Sequence, residues 1–402
     1  MRSRNFPLGF AAALVALFLG APSPAVAQQF QVLYNLFGSS PLGGVVFDAA
    51  GNLYGTTEVG GTYNYGTVYE LSPQGGGVWT QTILHSFNNN FVDGYEPYAG
   101  LAIDPAGNLY GTTRAGGPPG QGTVFELAPA GGGVWTETLL HTFGSTSTDG
   151  TSPYSPVVLD SAGSLYGTTL GGGTGRSGTV FKLVHGSNGW KEKVIYNFVP
   201  DAEGDGGFNP YGGVILDSSG NLYGTTSSCT CSYTNQGTVF ELKHGPGGGF
   251  AEKVLHYFYD NGVDGYDPRA SLAFDAKGNL YGTTQSGGTL LAGTVFELSP
   301  TPSGNWKEKV IHNFSGYTTD GSQPLASVTF DTHGNLYSTT YGAGTYGYGI
   351  VFELSPATGG TWNEVILHNC NGADCEGPLG AVALDATGNL YSAAGTVFEI
   401  TP

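Results

Sequence analysis

One short block, Gly-Asn-Leu-Tyr or once Gly-Ser-Leu-Tyr, ends at Tyr54, Tyr110, Tyr166, Tyr223, Tyr281, Tyr337 and Tyr391, at intervals of 56, 56, 57, 58, 56 and 54 residues. A period of this length is neither a heptad nor a collagen triplet. It marks one supersecondary unit that buries its apolar surface against copies of itself. Seven such copies account for nearly the whole chain after its first few dozen residues.

Each copy reads as four short strands divided by turn signals. In the first copy these are residues 44–47, 52–57, 66–71 and 79–87. The first two are joined by Asp48-Ala49-Ala50-Gly51, and every copy keeps Asp first and Gly fourth, as in Asp104-Pro105-Ala106-Gly107. This is type I turn chemistry, in which Asp bonds the turn backbone and Gly takes the exit. One carboxylate per copy falls short of the six to eight oxygens that calcium takes. The third strand recurs as Gly-Thr-Val-Phe-Glu-Leu, and its Glu column, broken by Lys182, reads as an exposed face. The fourth recurs as Trp-x-Glu-x-Val-Ile-His-x-Phe and carries all five tryptophans at one position. Alternation places Trp190, Glu192, Val194, Tyr196 and Phe198 on one face, which is expected to pack on a neighbouring copy.

Seven four-stranded units predict an all-β fold, a seven-bladed β-propeller of antiparallel blades. The repeats lie near 41–87, 97–143, 153–198, 210–258, 268–314, 324–370 and 378–402. The last stops after its third strand, and the segment 30–37, Phe-Gln-Val-Leu-Tyr-Asn-Leu-Phe, resembles residues 194–198 of a fourth strand. The N-terminal strand is therefore expected to complete the last blade and close the ring.

The unit Asp48 to Thr57, then Gly60-Gly61, then Gly66 to Leu71 resembles the GloVer-type tandem repeat of exported bacterial proteins, across all seven copies. That resemblance implies export but no activity or catalytic residue. Members often end in a sorting or anchoring segment, whereas this chain ends at Pro402, directly after a strand, so no C-terminal anchor is expected.

Residues 1–27 carry Arg2 and Arg4, an apolar run and Ala25-Val26-Ala27, the pattern of a signal peptide cleaved after Ala27. The remainder, 28–402, is then secreted or periplasmic, without membrane insertion. Only 11% of residues are charged, 39% are hydrophobic and the net charge is −18. An acidic surface repels nucleic acid and anionic membranes, so neither is an expected partner, and a monomer is expected. In an oxidising compartment the four cysteines are expected to form local cross-links, Cys370 to Cys375 and Cys229 to Cys231.

His85, His141, His256, His312 and His368 share one column, where Tyr196 also occurs. A position that accepts either residue wants a flat ring with a polar tip, and no metal or other cofactor is expected. No nucleophile-elbow, zincin, Walker or dinucleotide motif is present. The variable loops between second and third strands, at 58–65, 114–121, 170–177, 227–236, 285–292 and 341–348, share a face with the connections between blades. After the Pro of each connection come Leu42, Tyr98, Tyr154, Tyr211, Arg269, Leu325 and Leu379. Tyr98, Tyr154, Tyr211 and Arg269 thus form a candidate ligand-binding arc of three aromatics and a lone cation at the channel mouth. The leading expectation is a binding module for a glycan or cell-surface polymer. One alternative is a polysaccharide or lactone lyase or hydrolase that uses some of Arg269, Glu96, Asp267, Arg114 and Arg176. The other is a protein-interaction scaffold.

Overall fold

The computed structural model describes residues 28–36, 38–200, 206–229, 235–245 and 247–401. The expected leader, Phe37 and Cys231 lie outside the described residues. Seven antiparallel four-stranded sheets form the blades of a propeller. In the first blade, Val46–Phe47, Leu53–Thr57, Thr67–Gly75 and Val78–Ser86 run from the channel outward in chain order. Blades two to six repeat this order.

Strand lengths depart from the sequence pattern in two places. The innermost strand has two residues rather than four in every blade, and in the first blade the Gly43-Gly44 pair ahead of it serves a different contact. A Cβ on Gly43 would lie 2.3 Å from the Gly100 nitrogen, and one on Gly44 would lie 2.7 Å from the Ala381 carbonyl. Backbones of adjacent blades meet there, and only glycine permits it. The third strand runs on to Gly75, since its ladder with the fourth continues through Pro73 opposite Trp79.

Apolar cores lie between blades, so neighbouring sheets need each other. Tyr54, Val68 and Phe87 of blade one bury against Leu101, Leu109, Phe125 and Leu127 of blade two. The Trp-bearing face of the fourth strand points the same way: Trp190 sits against Tyr110 of the preceding blade. The Glu column of the third strand is not the exposed face its pattern suggests. It is half-buried, and Tyr110, Tyr223 and Tyr391 donate to Glu126, Glu241 and Glu399. Each of these tyrosines sits opposite its glutamate on the next strand inward, and its hydroxyl lies between that glutamate and the turn aspartate, either of which can accept its proton.

Blade seven consists of Ala383–Leu384, Leu390–Ala393, Thr396–Thr401 and, as its outermost strand, Gln29–Asn35. The chain's two ends pair antiparallel, with Phe30 opposite Ile400 and Asn35 opposite Thr396.

Cys370 and Cys375 are joined in the connection into this blade and are fully buried. Replacing both by Ala is expected to cost about 2 kcal/mol, the chain-entropy value for so short a loop, read from denaturant melts of the two proteins. Cys229 is also buried, but the pairing expected for it involves Cys231.

Candidate functional site

Every connection between blades contains a residue followed by Pro and then by the residue that faces the channel. Proline disfavours the right-handed helical region for the residue before it, and here that residue turns left-handed throughout. Its φ is 47° at Ser40, 57° at Glu96, 55° at Ser152, 59° at Asn209, 59° at Asp267, 55° at Gln323 and 53° at Gly377. Six of the seven are not glycine, so each stores about 1–3 kcal/mol that surrounding bonds must offset. The Glu96 amide donates to Tyr65 of blade one, and its carbonyl accepts from Arg114 of blade two; Ser152 and Asp267 are held in the same way.

A second clamp fixes the residue after the channel-facing one in blades two to seven; ahead of blade one the threonine's place is taken by Ala393. Thr56 donates to the Ala99 carbonyl at 2.7 Å, Thr112 to Ser155 at 2.9 Å, Thr168 to Gly212 at 3.0 Å and Thr225 to Ala270 at 3.1 Å. These threonines belong to the recurrent Leu-Tyr-Gly-Thr-Thr strand of the preceding blade. The repeat therefore builds a rigid ring of seven inward-facing positions. Short pairings such as Gly94–Tyr95 with Ala115–Gly116 tie the connections to the variable loops on the same face.

Leu42, Tyr98, Tyr154, Tyr211, Arg269, Leu325 and Leu379 all line one cavity of about 270 Å³ at the channel mouth. The four expected site residues are thus brought together, and none is fully buried. Ring centroids are 5.1 Å apart for Tyr98 and Tyr154 and 5.3 Å for Tyr154 and Tyr211. The Arg269 guanidinium stands 4.8 Å over the Tyr211 ring, within cation–π range. Burial, helped by Glu58 and the neighbouring tyrosines and opposed by Arg269, raises the Tyr98 phenol above its ordinary value. The Tyr98 hydroxyl is therefore neutral at physiological pH.

Arg269 is not the lone cation expected from the column. Its Nε and Nη2 each lie 2.9 Å from a carboxylate oxygen of Asp267, a bidentate pair that neutralises it. Arg114 adds a feature that column reading missed. It pairs with Glu96, lies 3.9 Å from Glu58, and donates from Nη1 to the Tyr154 hydroxyl at 3.3 Å. The paired position two residues before the channel-facing one was the available signal, since Glu96 and Asp267 both occupy it. Arg176 is exposed on its own loop. Among the described residues, the charged candidates at the mouth are committed to one another, which leaves an aromatic shelf with compensated charge.

The histidine column stands on the outermost strands, away from this mouth, where each of four histidines meets an Asp and a Glu.

No curated protein sequence matches this chain. Among solved structures, it is similar to virginiamycin B lyase from Staphylococcus aureus, with 13% identity over 93% of this chain and 99% of that chain and a TM-score of 0.57. It is also similar to the extracellular domain of a hybrid two-component system from B. thetaiotaomicron, with 12% identity over 93% of this chain and a TM-score of 0.58. This chain spans 39% of that ectodomain. At such identities the likeness is one of fold alone. The Gloeobacter/Verrucomicrobia repeat matches residues 22–206 and again 186–400. The chain belongs to the Gloeobacter/Verrucomicrobia repeat family.

Proposed function

We propose that the channel mouth is a ligand-binding site of an exported protein, and that its ligand is a neutral polyhydroxylated molecule such as a glycan or surface polymer. The observation that carries this reading is the convergence of Tyr98, Tyr154 and Tyr211 in one cavity. Tyrosine offers an apolar ring to a sugar face and a hydroxyl to its rim, and a shallow wet site suits such ligands. At about 270 Å³ the cavity lies just below the ~300–1,000 Å³ usual for small-molecule sites, a size suited to one or two sugar rings at a chain end. Because Asp267 neutralises Arg269, a neutral sugar fits better than an acidic one.

Export is supported by the Arg-led leader pattern in the sequence and by the buried Cys370–Cys375 disulfide. The enzymatic alternative needs a charged group available to substrate, and the mouth's arginines and carboxylates are paired off. That weighs toward binding.

Tyr154 is central, touching both neighbouring rings and Arg114. Tyr154→Ala is expected to weaken glycan binding by about 1–3 kcal/mol, or roughly 5- to 150-fold. A glycan array followed by titration calorimetry on wild type and variant measures this, with melting temperature recorded on the same samples. A stability loss with intact affinity would reassign the arc to packing.

A further inference from the structure

The histidines of the outermost strands meet acidic groups from the next blade. His85 Nε2 lies 3.2 Å from Asp93 Oδ2 and 3.6 Å from Glu137 Oε2. Asp93 belongs to the connection into blade two, and Glu137 to that blade's outermost strand. The set recurs as His141–Asp149–Glu192, His256–Asp264–Glu308 and His312–Asp320–Glu364. His141 is 3.2 Å from Asp149, His256 is 3.1 Å from Asp264, and His312 is 3.7 Å from Asp320 and 3.6 Å from Glu364.

These sets are chemically incomplete as they stand. Asp93 Oδ1, Glu137 Oε1, Glu192 Oε1, Asp264 Oδ1, Glu308 Oε1, Glu364 Oε1 and His312 Nε2 are buried side-chain atoms with no hydrogen-bond partner among the described residues. Asp93 and Asp264 are only 8% and 7% exposed. Two carboxylates facing one imidazole in a dry interface repel unless positive charge sits between them. Ligand atoms around a tetrahedral Zn²⁺ stand about 3.3–3.4 Å apart for bonds of about 2.0–2.1 Å. The His-to-Asp distances and the His85–Glu137 and His312–Glu364 distances, 3.1 to 3.7 Å, bracket that edge, while Glu192 and Glu308 stand farther from their imidazoles, with all ligand atoms of a set within 4.8 Å of one another.

We propose that the four His–Asp–Glu sets are structural divalent-cation sites that pin each outermost strand to the next blade, with Zn²⁺ the best-matched ion. One imidazole nitrogen and two carboxylate oxygens form a borderline donor set that Zn²⁺ accepts, with the fourth position open to water.

The other blade interfaces act as internal controls. Between blades three and four Tyr196 replaces His, and its hydroxyl donates to Glu252. Between blades six and seven Phe30 takes the place of Glu and stacks on His368 at 3.6 Å, while Cys375 is bound in its disulfide and offers no thiolate. Between blades seven and one the column supplies Tyr34 and Gln81. Where the sequence lacks one ligand, a neutral group takes its place.

The test uses the full chain freed of metal by a chelator and dialysed against ZnCl₂, with bound zinc counted by elemental analysis. About four equivalents are expected, together with a rise in melting temperature that zinc-free buffer does not give. His256→Tyr, which copies the arrangement this chain already folds around Tyr196, should bind one equivalent fewer. Glu308→Gln, nearly isosteric, should do the same. A chain that retains no zinc, or whose zinc count is unchanged in both variants, overturns the proposal. Absence of zinc would mean that the carboxyl pair is neutralised by a proton alone.

Discussion

A chain without residues 28–36 is expected to melt far below the intact protein, with a larger loss than any single substitution at the mouth. The segment buries Leu33 and Leu36, 8% and 5% exposed, in one core with Val45, Leu53, Tyr69 and Leu71 of blade one and Tyr391, Ala393 and Val397 of blade seven. At roughly 1.5–3 kcal/mol for each buried leucine, those two side chains contribute about 3–6 kcal/mol, against the ~5–15 kcal/mol typical of a whole domain. Two further losses add to this. Phe30 leaves His368 and Phe398, and Thr396–Thr401 becomes an open strand edge prone to pairing with other chains. Differential scanning calorimetry of the shortened chain measures the effect, and light scattering should report association through the exposed edge. A melting temperature equal to that of the intact chain would show that ring closure does not depend on the N-terminal strand.

The parts of this architecture that sequence makes legible are those written in one column at one spacing. Six Gly-Asn-Leu-Tyr blocks and one Gly-Ser-Leu-Tyr give the blade number, the missing fourth strand after Ile400 gives the closure, and the residue after each connecting Pro gives the mouth. Tyr98, Tyr154, Tyr211 and Arg269 could be read as neighbours because equivalent positions of consecutive blades must be adjacent around a ring. What escaped was pairing between columns. His85, Asp93 and Glu137 each look ordinary within their own column, and only the closed ring shows that the glutamate of one blade reaches the histidine of the blade before it. The signal was present: Asp follows His by eight residues in all four sets, and Glu follows by 51 or 52. The charge of Arg269 was misjudged for a related reason. The left-handed turn at Asp267 folds that carboxylate back onto the guanidinium, a geometry that no alternation rule displays.

Acid should destabilise the protein steeply below about pH 4, through the turn that opens every blade. Asp48 Oδ1 accepts from the Ala50 and Asn52 amides at 2.8 and 2.9 Å, and Oδ2 accepts from the Asn52 side chain and the Tyr54 hydroxyl at 2.8 and 3.0 Å. Asp104 repeats the same four bonds. Burial alone would raise these carboxyls, but the bonds they accept outweigh it and hold Asp48, Asp104, Asp160, Asp331 and Asp385 below the ordinary carboxylate value. An acid whose pKa is depressed by folding contributes stability that is fully present above its unfolded value, near 4, and is lost as pH falls through the folded one. Five such groups titrating together make the loss cumulative. Asp104→Asn isolates one of them: the amide has the size of the carboxylate but turns a donor toward Asn108 and Tyr110. It should cost about 1–2 kcal/mol at neutral pH, a modest figure because the turn faces solvent and its charge is partly screened. The gap from wild type should narrow as pH falls below the ordinary carboxylate value and through the lowered one of the native aspartate, which is then itself protonated. Denaturant melts of both proteins across that range decide the matter, and a gap that stays constant with pH would mean that the turn is held by its backbone geometry rather than by the ionised carboxylate.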